Sequence, residues 1–518
     1  MTDKLRRFNK SSVMNFLNNT SCFRFVFMMS LFFMLYPVQL VSMVWAGYLF
    51  YKKMIKEGYI KKIRYRKVVY LFLAGGLVTV LLHAEQNLLN NLFILYWLAV
   101  CFFFFYGLHG EKSHSHNKRE MMFMLDSIVI FTTIMMVVGL VLLAFFPKGF
   151  TLWGLSFCIY ENRFVGIITN ANALGFYAIM AAVACHMLWK IKKADNKLNA
   201  KSKTLYIVAV VINMLSLFLS DSNASLLFVI TYICFLAFYK IFRDFKKFKV
   251  LSFILRFIAT TLACTVIATL MLGVRTTVQS GVSLMLTAGE SKTQISNSVT
   301  TNNDGSVHIK DDVETQTPTT FEHENTNIDS GRFVIWKQSL GLFEKFPLMG
   351  IGKANIVSYG EQYLGGLKYD DFHNGLITII ISFGLVGFNI FMVLAITVAK
   401  AMLKAIFICK DKCRRDGDVL VLIVAFCAAY CVYSMFEIAL LMDLSYRVFI
   451  FWAIIGFGLS YVFKYEREKR RETVREKLFT FAALPKYESI RNNASVVFND
   501  TLNRKRETSS ADSRSRLL

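Results

Sequence analysis

The chain has 518 residues, of which 55% are hydrophobic, and its mean hydropathy is +0.46. This composition excludes an ordinary soluble globular protein and predicts an all-α polytopic membrane protein. The formal net charge of +24 would suit a nucleic-acid partner, but the positions of the charges along the chain argue against one.

Apolar segments near the length that spans a bilayer as a helix recur along the chain. They lie at 68–83, 92–108, 121–147, 172–190, 205–220, 226–242, 250–273, 372–398, 418–436 and 446–463. A further apolar segment, 22–51, has Pro37 near its middle, which predicts a pair of short helices rather than one long helix.

The loops between these segments alternate in charge. Residues 52–67 carry eight Lys or Arg side chains and one Glu, and 189–204, 243–249 and 399–416 are also basic. In contrast, 84–91, 221–225 and 437–445 contain no Lys or Arg. Because basic loops stay in the cytoplasm, the charge excess mostly reflects membrane topology, and no nucleic-acid partner is expected.

The N-terminal residues 1–21 are basic too, so we expect them in the cytoplasm. With the N-terminus and the tail both in the cytoplasm, the chain must cross the membrane an even number of times. The number is about twelve if 22–51 is a helix pair, whereas a single long helix at 22–51 would put the N-terminus outside. The domain prediction is N-terminal transmembrane helices over 22–273, C-terminal ones over 372–463, and a cytoplasmic tail over 464–518. That tail carries 14 Lys or Arg against 8 Asp or Glu.

Two predicted outer loops are longer than the rest, 148–171 and 274–371. Within the second, 280–328 is rich in Thr, Ser, Asn and acidic residues, which predicts a flexible segment. Residues 329–352 differ, because apolar side chains recur there at three- and four-residue spacing. This pattern predicts an amphipathic helix on the outer membrane surface followed by a turn. The apolar side chains are Phe333, Trp336, Leu340 and Phe343.

Three blocks of sequence on these outer segments together form a recognisable pattern. His373-Asn374 opens the helix after the long loop, and Gly384 and Gly387 follow. Upstream, Arg332, Trp336, Pro347, Gly350 and Gly352 form a second block; Arg163, Gly166, Asn170 and Asn172 form a third. Together these blocks resemble the O-antigen ligase and Wzy-type polysaccharide polymerase family, which has His, then Asn, Ser or Gln, nine residues and Gly-x-x-Gly. The resemblance covers roughly 163–390.

One departure from the family pattern lies in 221–225. The family often has a Ser-Arg pair in this short outer loop, whereas this chain has Asn223 where the arginine would stand. An asparagine cannot replace that positive charge, so 221–225 is left out of the predicted site.

The resemblance implies a membrane glycosyltransferase of GT-C-like fold that uses an undecaprenyl-diphosphate-linked glycan as donor. Arg163 and Arg332 are the predicted ligands of the diphosphate, since a guanidinium forks onto phosphate oxygens and stays charged. His373 is the predicted general base for the acceptor hydroxyl, with Asp370 or Asp371 to orient its imidazole. No metal or other cofactor is expected, since arginines can stabilise the departing diphosphate.

Other residues of the motifs allow simpler interpretations. Asn374, Asn170, Asn172 and Trp336 are predicted to bind substrate, but an asparagine at a helix start also suits a cap, and tryptophan also suits a membrane interface. Arg332 can equally anchor a helix at lipid headgroups, Arg163 can pair with Glu161, and His373 alone would suit a helix mouth. Gly384 and Gly387 are predicted to pack helices rather than to bind substrate. Arg447 and His83, near outer helix ends, are not included in the predicted site.

The predicted function is polymerisation of lipid-linked repeat units into a surface polysaccharide, with inversion at the anomeric carbon, at the outer face of a bacterial cytoplasmic membrane. A ligase that moves the finished glycan to another acceptor is the alternative within the family. A flippase or other transporter of the polysaccharide lipid, and a structural partner in a synthesis complex, are alternatives of other classes. The expected partners are the lipid-linked donor, the glycan acceptor and the membrane, with a flippase and a chain-length regulator of the same pathway as further candidates.

Overall fold

The computed structural model describes residues 13–244, 250–301, 307–309, 332–367 and 372–482. The chain divides into two units, Met1–Tyr461 and Val462–Leu518. In the second unit the described residues form the last part of a helix that ends at Ala482. The predictions for residues 1–12, for most of 302–331, for Asp370 and Asp371, and for the tail after 482 lie outside the described residues.

The described part of the chain is largely helical, and eight of its helices are long and apolar enough to cross a membrane. These stretches are Leu88–Tyr106, His114–Phe145, Ala171–Ala194, Ala200–Leu219, Asn223–Phe242, Val250–Leu286, Gly375–Ile408 and Tyr446–Arg475. Two shorter apolar helices accompany them, Thr20–Phe32 and Val419–Tyr433. The prediction of an all-α polytopic membrane protein is therefore confirmed.

The elements are numbered here in chain order. The first group is α1 (Thr20–Phe32), α2 (Tyr36–Leu49), α3 (Arg66–Leu82), α4 (Leu88–Val100), α5 (Leu108–Glu111), α6 (His114–Phe145), β1 (Phe150–Leu152), β2 (Leu155–Tyr160), β3 (Arg163–Gly166) and α7 (Ala171–Ala194). The second group is α8 (Ala200–Leu219), α9 (Asn223–Phe242), α10 (Val250–Ser298), β4 (Val299–Thr301), β5 (Val307–Ile309), α11 (Arg332–Lys345), α12 (Ile356–Leu364), α13 (Gly375–Ile408), α14 (Lys410–Arg415), α15 (Val419–Tyr433) and α16 (Tyr446–Ala482). Turns of π-helix extend α2 and α4 over Phe50–Lys56 and Cys101–Tyr106, and short 3₁₀ helices occupy Tyr59–Lys62 and Lys353–Asn355.

The apolar segment 22–51 contains two helices, which matches the predicted pair. The chain leaves α1 at Phe33 and starts α2 at Tyr36, so that Pro37 lies in the first turn of α2. Proline suits that position because the first N–H groups of a helix have no partner inside the helix.

The outer loop 148–171 contains a small antiparallel sheet that the sequence analysis did not predict. Strands β1, β2 and β3 lie side by side in that order, and the Phe150 and Phe157 rings stack at 5.3 Å. The register is irregular between Cys158 and Ile159, after which Tyr160 pairs with Arg163. The sheet thus fixes Arg163 at the start of β3, just before the chain enters α7.

Helix α10 continues beyond the end predicted for its apolar segment at residue 273. It runs to Ser298, and its residues Val250–Leu286 form a stretch long and apolar enough for a membrane. No proline interrupts residues 274–298, so nothing in the backbone chemistry forces the helix to stop at the end of the apolar run. Arg275 therefore lies on a helix rather than in a loop.

Helix α11 buries a different face from the predicted apolar stripe. Ile335, Ser339 and Leu342 are buried, whereas Phe333 is 66% exposed and Leu340 58% exposed. The buried face packs in an apolar cluster with Ile351, Ile356, Tyr359, Phe372 and Ile381. The helix therefore has apolar side chains on two faces, one against the protein and one exposed.

Helix α13 is broken at Gly384, whose φ of +62° and ψ of −171° are not helical. The segment 347–352 fills the break and joins α13 by backbone hydrogen bonds. These bonds are Leu385 N to Pro347 O (2.8 Å), Val386 N to Leu348 O (3.1 Å), Ile351 N to Ile381 O (3.0 Å) and Gly352 N to Ser382 O (2.9 Å). A Cβ atom on Gly384 would overlap the Leu348 carbonyl oxygen, so only glycine fits. Gly384 is thus more than a close-packing residue.

The three loops that lack Lys and Arg lie with the loop 148–171 at one end of the helices, which we call the outer end. It comprises 84–91, 148–171, 221–225 and 437–445. Asn87 donates a hydrogen bond to the Ala354 carbonyl at 3.2 Å, so that the first of these loops contacts the segment after α11. The other three contact one another through the side chains described below.

We predict that Gly384→Ala destabilises the protein strongly, because a side chain there requires an unfavourable backbone conformation and overlaps the Leu348 carbonyl. The backbone term alone amounts to about 1–3 kcal/mol. Gly273→Ala is the matched control, since no atom lies within 4 Å of the added Cβ and the position is helical. Thermal unfolding of both variants in detergent tests this. A Gly384→Ala protein that melts like wild type would contradict the role given to the glycine.

Candidate functional site

The Glu437 carboxylate connects three distant parts of the chain at the outer end. The residue is 6% exposed and follows α15. Its Oε1 accepts a hydrogen bond from Asn172 Nδ2 at 3.0 Å and lies 4.0 Å from Arg332 Nη2. Its Oε2 lies 3.3 Å from Arg447 Nη1. One buried anion therefore joins the starts of α7, α11 and α16.

Arg163 approaches the same group from β3. Its Nη2 donates to Asn172 Oδ1 at 2.8 Å, and its Nε donates to the Ser220 carbonyl at 3.0 Å. Burial lowers the pKa of Arg163, and the like charge of Arg332 adds to this, while Glu161 and Glu437 oppose it. The guanidinium nevertheless stays protonated at working pH, since arginine does not lose its proton in proteins. Glu437 as well as Glu161 therefore acts on Arg163, so pairing with Glu161 alone does not describe its environment.

Arg447 is held beside Glu437 by contacts with its own loop and with α15. Its Nη2 lies 2.7 Å from Asp443 Oδ2, and its Nη1 donates to the Tyr433 hydroxyl at 3.2 Å. Arg332 also faces the ring of Phe436, with 5.6 Å between the guanidinium carbon and the ring centroid. Both guanidiniums are therefore fixed beside the Glu437 carboxylate.

A fourth guanidinium, that of Arg275, lies beside the loop 221–225. It pairs with Asp221, and its Nη1 donates to Asn223 Oδ1 at 2.7 Å. The Ser222 hydroxyl of the same loop donates to Asn172 Oδ1 at 3.1 Å, which links this loop to Arg163.

The groups joined by these contacts in the described residues carry four positive and three negative charges. Arg275, Arg332 and Arg447 contact the carboxylates of Asp221, Glu437 and Asp443, whereas Arg163 joins them through Asn172, and Glu161 acts on Arg163 from an exposed hairpin turn. Asp221 is 8% exposed and Glu437 6%, so water screens these charges weakly. We name the three guanidiniums that are grouped around Glu437 the arginine cluster: Arg163, Arg332 and Arg447. Such an arrangement attracts an anion with several oxygen atoms.

The backbone around His373 is attached to the two elements that carry Arg332 and Glu437. Three hydrogen bonds make this attachment: Trp336 Nε1 to Phe372 O (3.1 Å), Asn374 Nδ2 to Met435 O (3.0 Å) and Gly375 N to Ser434 O (2.7 Å). His373 itself has a left-handed backbone, with φ of +44°. Asn374 then caps α13, its Oδ1 accepting from the N–H groups of Leu376 and Ile377 at 3.0 Å each. His373 is thereby fixed at the start of α13, beside the elements of the arginine cluster.

The predicted site residues thus have three different placements. Arg163, Asn172 and Arg332 come together around Glu437. Asn374 and Trp336 hold the chain on either side of His373 rather than standing apart as separate ligands. Asn170 caps α7 by accepting from Ala173 N at 2.9 Å, and it is exposed.

The site predicted from the sequence did not contain Glu437, Asp443 or Arg275, and it left Arg447 out. The loop 437–445 was used only to predict the topology, from its lack of Lys and Arg. Its carboxylates, Glu437 and Asp443, nevertheless precede Arg447 at an outer helix end. Acidic residues in an apolar outer loop, next to such an arginine, are the signal that would have identified them.

An apolar cavity of about 370 Å³ lies between α11 and α13, next to Trp336. Its lining includes Phe333, Leu340, Phe343, Ile377 and Ile380. In the part of the chain that the structure describes, no group of three or more His, Cys, Asp or Glu side chains is placed to hold a metal ion. The site therefore combines a cationic group, a histidine and an adjoining apolar space.

Residues 208–392 match the family model described as O-Antigen ligase. The match contains Arg275, Arg332 and His373, whereas Arg163 and Glu437 lie outside it on either side. No curated protein matches the chain.

We predict that Glu437→Gln lowers the melting temperature by several degrees, because Arg332 and Arg447 lose the charge that compensates them. The loss corresponds to about 1–3 kcal/mol. Inorganic pyrophosphate should raise the melting temperature of this variant again, since it supplies negative charge to the same guanidiniums. Glu344→Gln, at an exposed position of α11, is the control and should melt like wild type. Equal melting temperatures for wild type and Glu437→Gln would show that the carboxylate does not organise the cluster.

Proposed function

Given that its domain 208–392 makes this multi-pass membrane protein a member of the O-antigen ligase/Wzy-type family, we propose that it transfers a glycan from a polyprenyl-diphosphate carrier to a sugar hydroxyl. The family acts on lipid-linked glycans, and the finer assignment rests on the arginine cluster. A diphosphate offers several anionic oxygens at the point where a carrier lipid meets water. Three guanidiniums around the buried Glu437 carboxylate suit such a group better than they suit an uncharged sugar.

The carrier has a charged diphosphate and an apolar chain, and the arginine cluster likewise has an apolar cavity near it. The apolar cavity between α11 and α13 adjoins Trp336, whose neighbour on the exposed side of α11 is Phe333. We propose that the first isoprene units of the carrier lie there, with the diphosphate at the arginines. This places the reacting bond at the outer end of the helices, which faces the extracytoplasmic side of a bacterial cytoplasmic membrane in this proposal.

The proposed reaction is a single displacement at the anomeric carbon. The acceptor hydroxyl oxygen forms a bond to that carbon, and the bond from carbon to the diphosphate oxygen breaks with its electron pair. The His373 imidazole takes the hydroxyl proton, and the arginine cluster stabilises the negative charge that develops on the diphosphate. Attack opposite the leaving group inverts the anomeric carbon. Asp370 and Asp371 remain candidates to orient His373.

Within this reaction type we propose a polymerase, in which the acceptor is another lipid-linked repeat unit. A ligase, in which the acceptor is a different molecule, shares the donor, the arginines and the base, and it remains the second candidate. A transporter is disfavoured because the polar groups gather at the outer helix ends rather than at mid-membrane.

We predict that purified protein with an undecaprenyl-diphosphate-linked repeat unit produces a ladder of glycan lengths on a gel. His373→Ala should reduce the rate by about 100-fold or more, because the acceptor hydroxyl loses its base. Arg332→Ala should weaken donor use by about 10- to 100-fold. His116→Ala, at a histidine in the first turn of α6, is the control and should retain the ladder. An intact ladder in His373→Ala would overturn the assignment of the base.

A second prediction separates the two reactions of the family. With donor alone, a polymerase gives products that lengthen with time. Under the proposal, adding a non-lipid glycan acceptor does not convert this series into single-step transfer. One product, formed only when that second acceptor is present, would establish a ligase.

A further inference from the structure

Arg275 lies on α10 and reaches the short outer loop before α9. Its side chain is 16% exposed. It pairs with Asp221 and donates from Nη1 to Asn223 Oδ1 at 2.7 Å. The motifs of the sequence analysis do not include this arginine, and no other observation on the site requires it.

The contacts place Arg275 next to Arg163. Arg163 donates to the Ser220 carbonyl at 3.0 Å, and Arg275 pairs with the following residue, Asp221. The two guanidiniums are therefore attached to neighbouring residues of one chain segment, and the side chain of Arg275 is 16% exposed there. Two like charges held together in a partly buried site are stabilised when an anion lies between them.

The Asp221 carboxylate interacts with a second side chain of α10 besides Arg275. Gln279, one turn further along α10, donates to Asp221 Oδ1 at 3.0 Å and to the Phe218 carbonyl at 3.0 Å. Asp221 and Gln279 are both buried, at 8% and 7% exposed. The carboxylate therefore acts as a fixed support for two side chains of α10. A guanidinium has five N–H donors, so the contacts with Asp221 and Asn223 leave others for phosphate oxygens.

We propose that Arg275 binds the diphosphate of the carrier lipid together with Arg163, so that each guanidinium contacts one of the two phosphates. This inference rests on the proposed function and adds to it a binding residue from α10. It also assigns Asp221 and Gln279 to the positioning of Arg275, and it makes the outer part of α10 one wall of the donor site.

The test measures binding of two probes to the purified full chain: undecaprenyl diphosphate in detergent micelles, and inorganic pyrophosphate. We expect Arg275→Ala to weaken binding of both probes by about 10- to 100-fold. The KM for the lipid-linked donor should rise by a similar factor, with a smaller change in kcat. Arg256→Ala, an arginine near the other end of α10, is the matched control and should bind both probes like wild type. Arg275→Lys keeps the charge but loses the fork, so it should bind more weakly than wild type and more tightly than Arg275→Ala.

Two double variants separate phosphate binding from a merely structural role. If Arg275 only neutralises Asp221, then Asp221→Asn with Arg275→Ala removes both charges and restores binding, which would overturn the proposal. We expect binding to stay weak in that double variant. Asn223→Arg with Arg275→Ala places a guanidinium where Arg275 now makes its contact, and we expect it to recover part of the lost affinity.

The remaining outcomes are also decisive. Wild-type affinity of Arg275→Ala for undecaprenyl diphosphate would overturn this inference and leave the proposed function intact, even if pyrophosphate binding fell. A wild-type protein that neither binds undecaprenyl diphosphate nor transfers glycan would overturn the proposed function itself. Arg275→Lys and the Asn223→Arg double variant retain a cation at the loop, so they keep the test valid if Arg275→Ala does not fold.

Discussion

The organisation of the outer end depends on the contact between the Glu437 carboxylate and the guanidiniums around it. A buried charge is tolerated only when opposite charge and hydrogen-bond donors surround it, and Glu437 obtains these from Asn172, Arg332 and Arg447. The buried guanidiniums likewise require negative charge or hydrogen-bond acceptors near them. Segments separated by more than two hundred residues in the sequence are thereby brought to one place, and the positions of the cations are set before any ligand arrives.

His373 gains its position from the same supports. Trp336 lies one helical turn after Arg332 and binds the carbonyl just before the histidine, while residues 434 and 435, just before Glu437, bind the chain just after it. Under the proposed function, the base and the anion site rest on shared elements, which fixes their separation. Such preorganisation is what a displacement reaction needs, because the acceptor hydroxyl and the leaving group must be aligned together.

Local patterns in the sequence predicted the long apolar helices, the helix pair at 22–51 and the gathering of Arg163, Asn172 and Arg332. They failed where distant contacts decide the outcome. Arg275 was assigned to a loop because its apolar segment ends at 273, and Glu437 had no motif to mark it. The uncharged Asn223 suggested a missing cation, yet the Arg275 guanidinium lies directly against it. Spacing also showed Gly384 only as a small residue, since a positive φ leaves no periodic trace.

The break at Gly384 also determines where this protein can be divided. Inside a bilayer, backbone groups without partners are costly, and the broken turn of α13 obtains its partners from residues 347–352. Segments 347–352 and 381–386 therefore behave as a single assembly unit, although a long stretch of chain joins them. Two separately synthesised halves would keep this unit whole if the boundary preceded Arg332. A boundary placed between residue 352 and α13 would leave the second half with an unpaired helical turn in the membrane.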